Sequence, residues 1–168
     1  NLTVVEPRFV PGLPDEAPAF RDAVRKPIGA RPLKDQIAAK DKVAVVIPDI
    51  TRPLPSDRLL PWLFAELSHV PAENFTIING TGSHRANTPA ELEKMVGAEV
   101  VRKYRIVNHT AHDPKTLAVA GKTADGRPVQ MTRQHVGGDK RIDFRFFKYH
   151  PLALAASATS WLSVAMTQ

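Results

Sequence analysis

Val43-Ala44-Val45-Val46-Ile47 is the stretch that decides the fold: five consecutive apolar residues, most of them β-branched, closed by Pro48. An unbroken apolar run of this length is typical of a strand that is buried on both faces, as the strands of parallel sheets are. We therefore predict a central strand of a parallel sheet at residues 43–47.

Helix and strand patterns alternate after this strand. Apolar residues recur at helical spacing over residues 59–67, and Ser56 is placed to cap that helix. Residues 75–78 form a second short apolar run, and residues 105–108 form a third. The alternation predicts an α/β fold with an open, largely parallel sheet and flanking helices.

Two further local signals complete the predicted fold. Thr88-Pro89-Ala90-Glu91 combines the capping threonine, first-turn proline and glutamate of a capping box, and Gly97 marks the end of that helix. Residues 117–120 and 129–131 flank the turn pair Asp125-Gly126. This arrangement predicts a small β-hairpin excursion at one edge of the sheet.

Length and composition favour one domain of a cytoplasmic protein. The chain has 168 residues and no cysteine, which excludes disulfides, thiolate metal sites and a cysteine nucleophile. It starts at Asn1 without a secretory leader, which we interpret as an excised or processed piece. Residues 151–168 carry no charge, but their serines and threonines dilute the apolar character, so we expect no membrane span.

The net charge of +6 raises the question of nucleic-acid binding. Most basic residues are scattered along the chain, and only the segment from Lys140 to Lys148 is dense in them. Scattered charge favours a small anionic ligand, and we expect no nucleic-acid partner. A weaker alternative is that the basic and aromatic run from Lys140 to Tyr149 binds nucleic acid through phosphate contacts and ring stacking.

Polar loops follow the predicted strands, and ligands of open α/β sheets gather at that edge. The first loop is Asp49-Ile50-Thr51-Arg52-Pro53. Asp49 can orient a base or bind a cation, and the planar guanidinium of Arg52 suits a carboxylate or a phosphate. The alternative is that Asp49 and Arg52 form a pair with a structural role only.

The second loop, Gly80-Thr81-Gly82-Ser83-His84-Arg85, follows the second strand. Its glycines allow close approach of an anion to the backbone, and His84 suits acid–base chemistry near neutral pH. The glycine spacing matches neither the dinucleotide-binding fingerprint nor the P-loop. A lone loop histidine is more often structural, but the neighbouring polar loop at the same edge favours a functional role.

The third loop, Asn108 to Asp113, contains His109 and His112. We interpret it as a border of the site, because no third metal ligand accompanies the two histidines. No metal ligand is therefore assigned in this chain. The sequence also lacks a nucleophile-elbow motif, which argues against a hydrolase.

These loops, in this order, make the chain resemble the lactate racemase family. The similarity runs from about Val4 to about Thr132. It implies a lactate racemase-like N-terminal domain over residues 1–138, completed by a C-terminal domain that is missing here. The matching segments are Val24–Gly29, Asp49–Ser56, Gly80–Arg85 and Val101–His109.

The resemblance implies a racemase or epimerase of 2-hydroxy acids, in which a nickel-pincer nucleotide exchanges hydride with the substrate's C2 carbon. Two histidines handle the hydroxyl proton, and His84 corresponds to one of them. Asp49 would orient His84, and Arg52 would hold the substrate or the second histidine. The residues that would line the cofactor pocket are Thr51, Gly80, Thr81 and Gly82.

The chain departs from the family pattern after about residue 139. The family's second catalytic histidine lies in a Glu-Pro-His segment, and Lys148-Tyr149-His150 matches it only at His150. The lysine that carries the cofactor would fall near Ser160, where the chain has none. We therefore interpret residues 139–168 as a divergent tail, frameshifted or disordered, and expect the chain alone to be inactive.

Two interpretations of the chain's role remain open. It is either the N-terminal domain of such a racemase, or a non-catalytic module that binds a nucleotide or small carboxylate through the Gly80–Arg85 loop.

Sequencing the gene beyond codon 139 in all reading frames tests the frameshift. We expect the Gly-Gly-x-Lys motif of the family in another frame, and a full-length product that carries nickel with its pincer. Absence of the motif from every frame would instead support real divergence of the tail.

Overall fold

The computed structural model describes residues 9, 11–52 and 54–144. The helices are α1 (Glu16–Arg25), α2 (Ser56–Glu66), α3 (Pro89–Val96), α4 (Ala98–Lys103) and α5 (Arg133–Val136). The strands are β1 (Val43–Pro48), β2 (Phe75–Gly80), β3 (Arg105–Asn108), β4 (Leu117–Lys122), β5 (Pro128–Thr132) and β6 (Lys140–Asp143).

Four of the strands form one sheet in the order β3-β2-β1-β6. Every neighbouring pair in this sheet is parallel, and Val45 of β1 lies opposite both Ile77 and Ile142. The predicted open parallel sheet is therefore confirmed. After β1 the chain moves to one side for β2 and β3 and returns to the other side for β6. The carboxyl end of β1 is thus the topological switch point, where ligands of such sheets bind.

Helices α1 to α4 cover one face of the sheet. Strand residues Val45 and Ile77 belong to the same buried cluster as Leu63 of α2, Val96 of α3 and Val100 of α4. This packing explains the helical spacing of apolar residues over residues 59–67, since Leu60, Leu63 and Phe64 form the buried side of α2. In the described part of the chain, no helix is long and apolar enough to cross a membrane.

The hairpin and α5 lie on the opposite face. Strands β4 and β5 pair antiparallel, and Gly126 in their turn has a φ of +84°, which favours glycine. The predicted hairpin is confirmed. Val46 and Ile78 point to this face and line a cleft of about 280 Å³ together with Thr132 and His135.

One predicted helix start is confirmed and another is wrong. Thr88 accepts the backbone N–H of Glu91, whose side chain accepts the backbone N–H of Thr88 in return. At α2, however, Ser56 is not the cap. The carbonyl of Pro55 accepts the backbone N–H groups of residues 58 and 59, so the helix starts after Pro55 and buries Ser56 in its first turn.

The sheet continues past the boundary that we placed at residue 138. Residues 140–143 are β6, which pairs with residues 43–46 of β1, and Ile142 is fully buried. The sequence gives little sign of this strand because Ile142 is its only apolar residue. Residues 140–143 therefore belong to the domain, whereas residues 145–168 lie outside the described part of the chain.

Replacing Ile142 by alanine tests whether β6 is integral to the domain. We expect Ile142→Ala to lower the free energy of unfolding by about 2–5 kcal/mol, because it leaves a cavity in the core. Urea denaturation measures the loss. Ile28→Ala is the matched control, since Ile28 is fully exposed, and its change should stay within about 0.5 kcal/mol. Equal effects of the two substitutions would contradict an integral β6.

Candidate active site

Asp49 lies at the topological switch point, directly after β1. Its side chain is buried, and its Oδ1 accepts the hydroxyl of Thr51 at 2.6 Å and the backbone N–H of Thr51 at 3.3 Å. The carbonyl of Asp49 also accepts the backbone N–H of Arg52, which closes the loop into a turn. The loop thus fixes the carboxylate in one orientation.

His84 meets Asp49 although 35 residues separate them. Its Nδ1 lies 2.6 Å from Oδ2 of Asp49. The His84 side chain is 52% exposed and the Asp49 side chain only 6%, so the carboxylate is buried and the ring reaches solvent. Gly82 allows the tight loop through its φ of +59°, and the backbone N–H of His84 bonds to the carbonyl of Thr81.

The environment of Asp49 favours its ionised form. Burial by itself raises the pKa of Asp49, but hydrogen bonds from Thr51 and His84 outweigh it, and the pKa lies below its ordinary value. An ionised carboxylate only accepts hydrogen bonds, so the neutral ring of His84 carries its proton on Nδ1. Nε2 then has a free lone pair, which is what a general base requires.

Arg52 is the positively charged residue of the Asp49 loop. Its side chain is exposed and makes no hydrogen bond or ion pair with the described residues, so the structural Asp49–Arg52 pair is not formed. Arg85 differs, because both of its terminal nitrogens bind the carboxylate of Glu91 at 2.7 and 2.8 Å. This contact, with support from Thr88, lowers the pKa of Glu91 well below its ordinary value. Arg52 is therefore the better candidate for an anionic ligand.

The two threonines assigned to a cofactor pocket already donate their hydroxyls within the protein. Thr51 donates to Asp49, and the buried Thr81 donates to the carbonyl of His109 at 2.6 Å. Both hydroxyls keep acceptor capacity, but their positions are set by the two loops. Their evident role is to hold the loops together.

The two glycines of the second loop have different roles. A Cβ at Gly80 would lie 3.2 Å from the carbonyl oxygen of Ile47, so the close approach of β1 and β2 favours glycine there. A Cβ at Gly82 would meet nothing within 4 Å. The φ of +59°, and not a close neighbour, is what favours glycine at position 82.

The third loop contacts the end of β2, the second loop and the hairpin, and its role as a border of the site stays a prediction. The backbone N–H of His109 bonds to the carbonyl of Asn79, and its Nδ1 lies 2.8 Å from the hydroxyl of Thr132. His112 is exposed. Among the described residues, no group of three or more His, Asp or Glu side chains could hold a metal ion. The structure ties this loop to the hairpin and to β2.

Other assigned residues lie where the structure gives no description. His150, the second catalytic histidine implied by the resemblance, and Pro53 are outside the described residues. Of the basic run from Lys140 to Tyr149, Arg141 is described, and its guanidinium donates to the carbonyls of His135 and Val136. Arg141 is thus bound within the protein.

Sequence reasoning missed a group of three side-chain amides at the same sheet edge, Asn79, Asn87 and Asn108, which we call the asparagine cluster. Asn79 donates through Nδ2 to Oδ1 of Asn87 at 2.8 Å and to Oδ1 of Asn108 at 2.7 Å. Asn79 and Asn108 lie in register on β2 and β3. Asparagine is depleted in strands, so its presence at the ends of two strands was the available signal.

A wider cleft of about 480 Å³ lies elsewhere, along α2 and α4. Phe64 and Tyr104 line it, with Glu99 and Lys103 as charged neighbours, and none of the residues assigned above contributes to it. The side chains present therefore favour a site at the sheet edge over one in the cleft along α2 and α4. The edge combines an oriented histidine with an arginine available for a ligand.

Fold and site together define a parallel α/β domain with a histidine–carboxylate pair at its switch point. The family described as the lactate racemase N-terminal domain matches residues 1–155. The chain belongs to this family.

Two curated relatives agree with this assignment. The lactate racemase of Thermoanaerobacterium thermosaccharolyticum is 26% identical over 136 residues, and that of Lactiplantibacillus plantarum is 27% identical over 136 residues. Each alignment covers 80% of this chain but 32% of the relative. The chain thus spans about one third of the length of these curated relatives.

Solved structures show the same relationship. The lactate racemase apoprotein of T. thermosaccharolyticum superposes with a TM-score of 0.69 at 26% identity, over 76% of this chain and 31% of that one. A protein from Thermotoga maritima superposes with a TM-score of 0.60 at 22% identity, over 80% and 34% of the two chains. The second likeness concerns the fold alone.

The lowered pKa of Asp49 predicts a specific acid dependence of stability. Below about pH 4, the ordinary range for aspartate, the unfolded chain takes up this proton more readily than the folded chain. The stabilisation is therefore present above that pH and is lost as the pH falls through the folded-state pKa. As the pH falls from about 5 to about 2, we expect the free energy of unfolding to decrease less in Asp49→Asn than in wild type. The two slopes should differ by at most about 1.4 kcal/mol per pH unit, the value for one proton.

Urea denaturation at several pH values measures this difference. Thr51→Val keeps the carboxyl group of Asp49 but removes one hydrogen bond to it. The dependence of its unfolding free energy on pH should therefore be weaker than in wild type and stronger than in Asp49→Asn. Equal slopes for wild type and Asp49→Asn would contradict the assignment.

Proposed function

We propose that this chain provides the proton-transfer and carboxylate-binding side of a racemase or epimerase that acts on 2-hydroxy acids of the lactate type. The observation that carries the proposal is the 2.6 Å contact between His84 Nδ1 and Asp49 Oδ2. Its position at the switch point and the names of the relatives support it.

His84 acts as the general base in this proposal. The proton of the C2 hydroxyl of one enantiomer moves to Nε2 of His84, and the same nitrogen returns it when that enantiomer re-forms. A second proton-transfer group outside the described residues would serve the other enantiomer. Asp49 keeps the ring in the Nδ1–H tautomer and stabilises the positive charge that forms on it. The negative charge of Asp49 and its burial both suit this role.

Arg52 binds the substrate carboxylate. In a 2-hydroxy acid the carboxylate is attached to the carbon that bears the reacting hydroxyl, so the two groups need receptors close together. Arg52 follows Asp49 by three residues in one turn, and its guanidinium makes no hydrogen bond or ion pair with the described residues. A guanidinium can hold a carboxylate through two parallel hydrogen bonds.

The described residues do not by themselves make a holding site for the family's cofactor. Both threonine hydroxyls are bound to protein acceptors, and no three-residue metal-binding group is present among the described residues. When bound, a nickel-pincer nucleotide would supply the hydride exchange at C2, and its attachment requires residues other than these. The chain alone is therefore proposed to bind substrate without turnover.

Binding of lactate to this chain tests the proposal. With ¹⁵N-labelled histidine, we expect L-lactate to shift the ring signals of His84 saturably, and propionate, which lacks the hydroxyl, to bind more weakly. Arg52→Gln should weaken lactate binding about 10- to 100-fold, because a hydrogen bond to a charged group contributes about 1.5–3 kcal/mol. Arg127→Gln is the matched control, since Arg127 is exposed in the hairpin and pairs with Asp125.

The outcomes separate the alternatives. Equal weakening by the two arginine substitutions, or no shift of the His84 signals, would contradict the proposed substrate site. If lactate binds and the full-length product carries no nickel and no pincer, the chain is a carboxylate-binding module instead.

A further inference from the structure

The asparagine cluster closes the loop that carries His84. Asn79 precedes the loop and Asn87 follows it, and the 2.8 Å bond between their side chains joins its two ends. A loop whose ends are joined has fewer conformations available than an open one. His84 lies between these ends, so its position depends on this bond.

Asn108 braces the closed loop against the sheet. Its Oδ1 accepts from Nδ2 of Asn79 and from the backbone N–H of Asn87 at 3.1 Å, and its Nδ2 donates to the carbonyl of Asn87 at 3.0 Å. Three bonds thus connect the end of β3 to the two ends of the loop. Because β3 is paired with β2, this support belongs to the rigid part of the fold.

The cluster also reaches the loop that carries Asp49. Oδ1 of Asn87 lies 3.4 Å from the backbone nitrogen of Ile50, which follows Asp49 in the chain. Nδ2 of Asn87 donates to Glu91 at 3.1 Å, which links the cluster to the start of α3. The side chain of Asn87 therefore contacts the Asp49 loop, the strand end before the His84 loop, and the first turn of α3.

Fold stability alone does not explain why an asparagine occupies position 79. Its side chain is fully buried, and its Oδ1 has no hydrogen-bond partner among the described residues. A buried carbonyl without a partner destabilises a fold, and a β-branched apolar residue suits a strand better. The directional bonds of Asn79 to Asn87 and Asn108 are what an apolar residue would not provide.

We propose that the asparagine cluster is a positioning device, whose three amides hold the His84 loop so that Nδ1 of His84 stays on Oδ2 of Asp49. Its members are positioning residues, because they act through the loop. Naming His84 as the base rests on the proposed function, whereas the geometric dependence of His84 on the cluster does not.

The tautomer of His84 reports this dependence directly. With ¹⁵N-labelled histidine at about pH 8, above the ordinary histidine pKa, we expect the Nδ1–H form to dominate in the wild-type chain. His84→Gln identifies the signals. Asn79→Ala and Asn108→Ala should each lower the ratio of Nδ1–H to Nε2–H at least about threefold, as expected for the loss of a net hydrogen bond.

Two further variants sharpen the test. Asn74→Ala is the matched control, because Asn74 donates to the carbonyl of Ala39 outside the cluster, and it should leave the ratio unchanged. Asn108→Asp keeps the shape and the acceptor Oδ1, but its second oxygen cannot donate and would face the carbonyl of Asn87, so it should also lower the ratio. A lowered ratio in folded alanine and aspartate variants alike distinguishes positioning from a general loss of structure.

The proposal is overturned if folded Asn79→Ala and Asn108→Ala proteins, with the dispersed amide spectrum of wild type, keep the wild-type ratio. If the alanine variants do not fold, Asn108→Asp decides in the same way. Lactate that fails to shift His84, alongside an altered ratio in these variants, would refute the proposed function and leave the positioning role standing.

Discussion

The parallel register of β1 and β2 is the constraint on which the rest of the site depends. It places Pro48 opposite Gly80, so the two strands end at the same height and their loops start side by side. Gly80 permits this approach, because a Cβ there would press on the carbonyl of Ile47. A shift of one residue would exchange the side chains between the two covered faces of the strand, and the two strands would no longer end together. Core packing therefore brings Asp49 and His84 together.

The properties of the Asp49–His84 pair depend on the unequal burial of its two side chains. Asp49 is buried, yet its hydrogen bonds from Thr51 and His84 keep it ionised, since they outweigh the cost of desolvation. His84 stays half exposed, so its free nitrogen can reach a ligand. Exposure of both groups would weaken their interaction through solvent screening, and full burial of the ring would close it to substrate. The arrangement combines an oriented imidazole ring with access to its second nitrogen.

Local signals explain which parts of the fold could be predicted from the sequence. The apolar run of β1 and the capping box at Thr88 depend on neighbouring residues, and both are confirmed. Strand β6 was missed because an edge strand with one buried residue, Ile142, has no distinctive pattern. The loops could be placed at one edge because parallel strands share that edge. The bonds of Asn79 could not be predicted, since they join residues distant in sequence whose side-chain directions depend on the finished sheet.

The proposed division of labour follows from what one sheet edge can supply. Proton transfer needs one oriented ring and one carboxylate, and the first two loops provide both within about one third of the length of the curated relatives. Catalysis also requires that water be excluded from the site, because electrostatic interactions with the substrate are stronger without it. The described residues leave His84 52% exposed, so they do not meet it. A base that is correctly oriented yet open to solvent suits a site completed by a further part of the protein, which would cover Nε2 once substrate is bound. On this argument, orientation is built into the domain by its sheet and its buried amides, whereas desolvation is left to whatever closes over the edge.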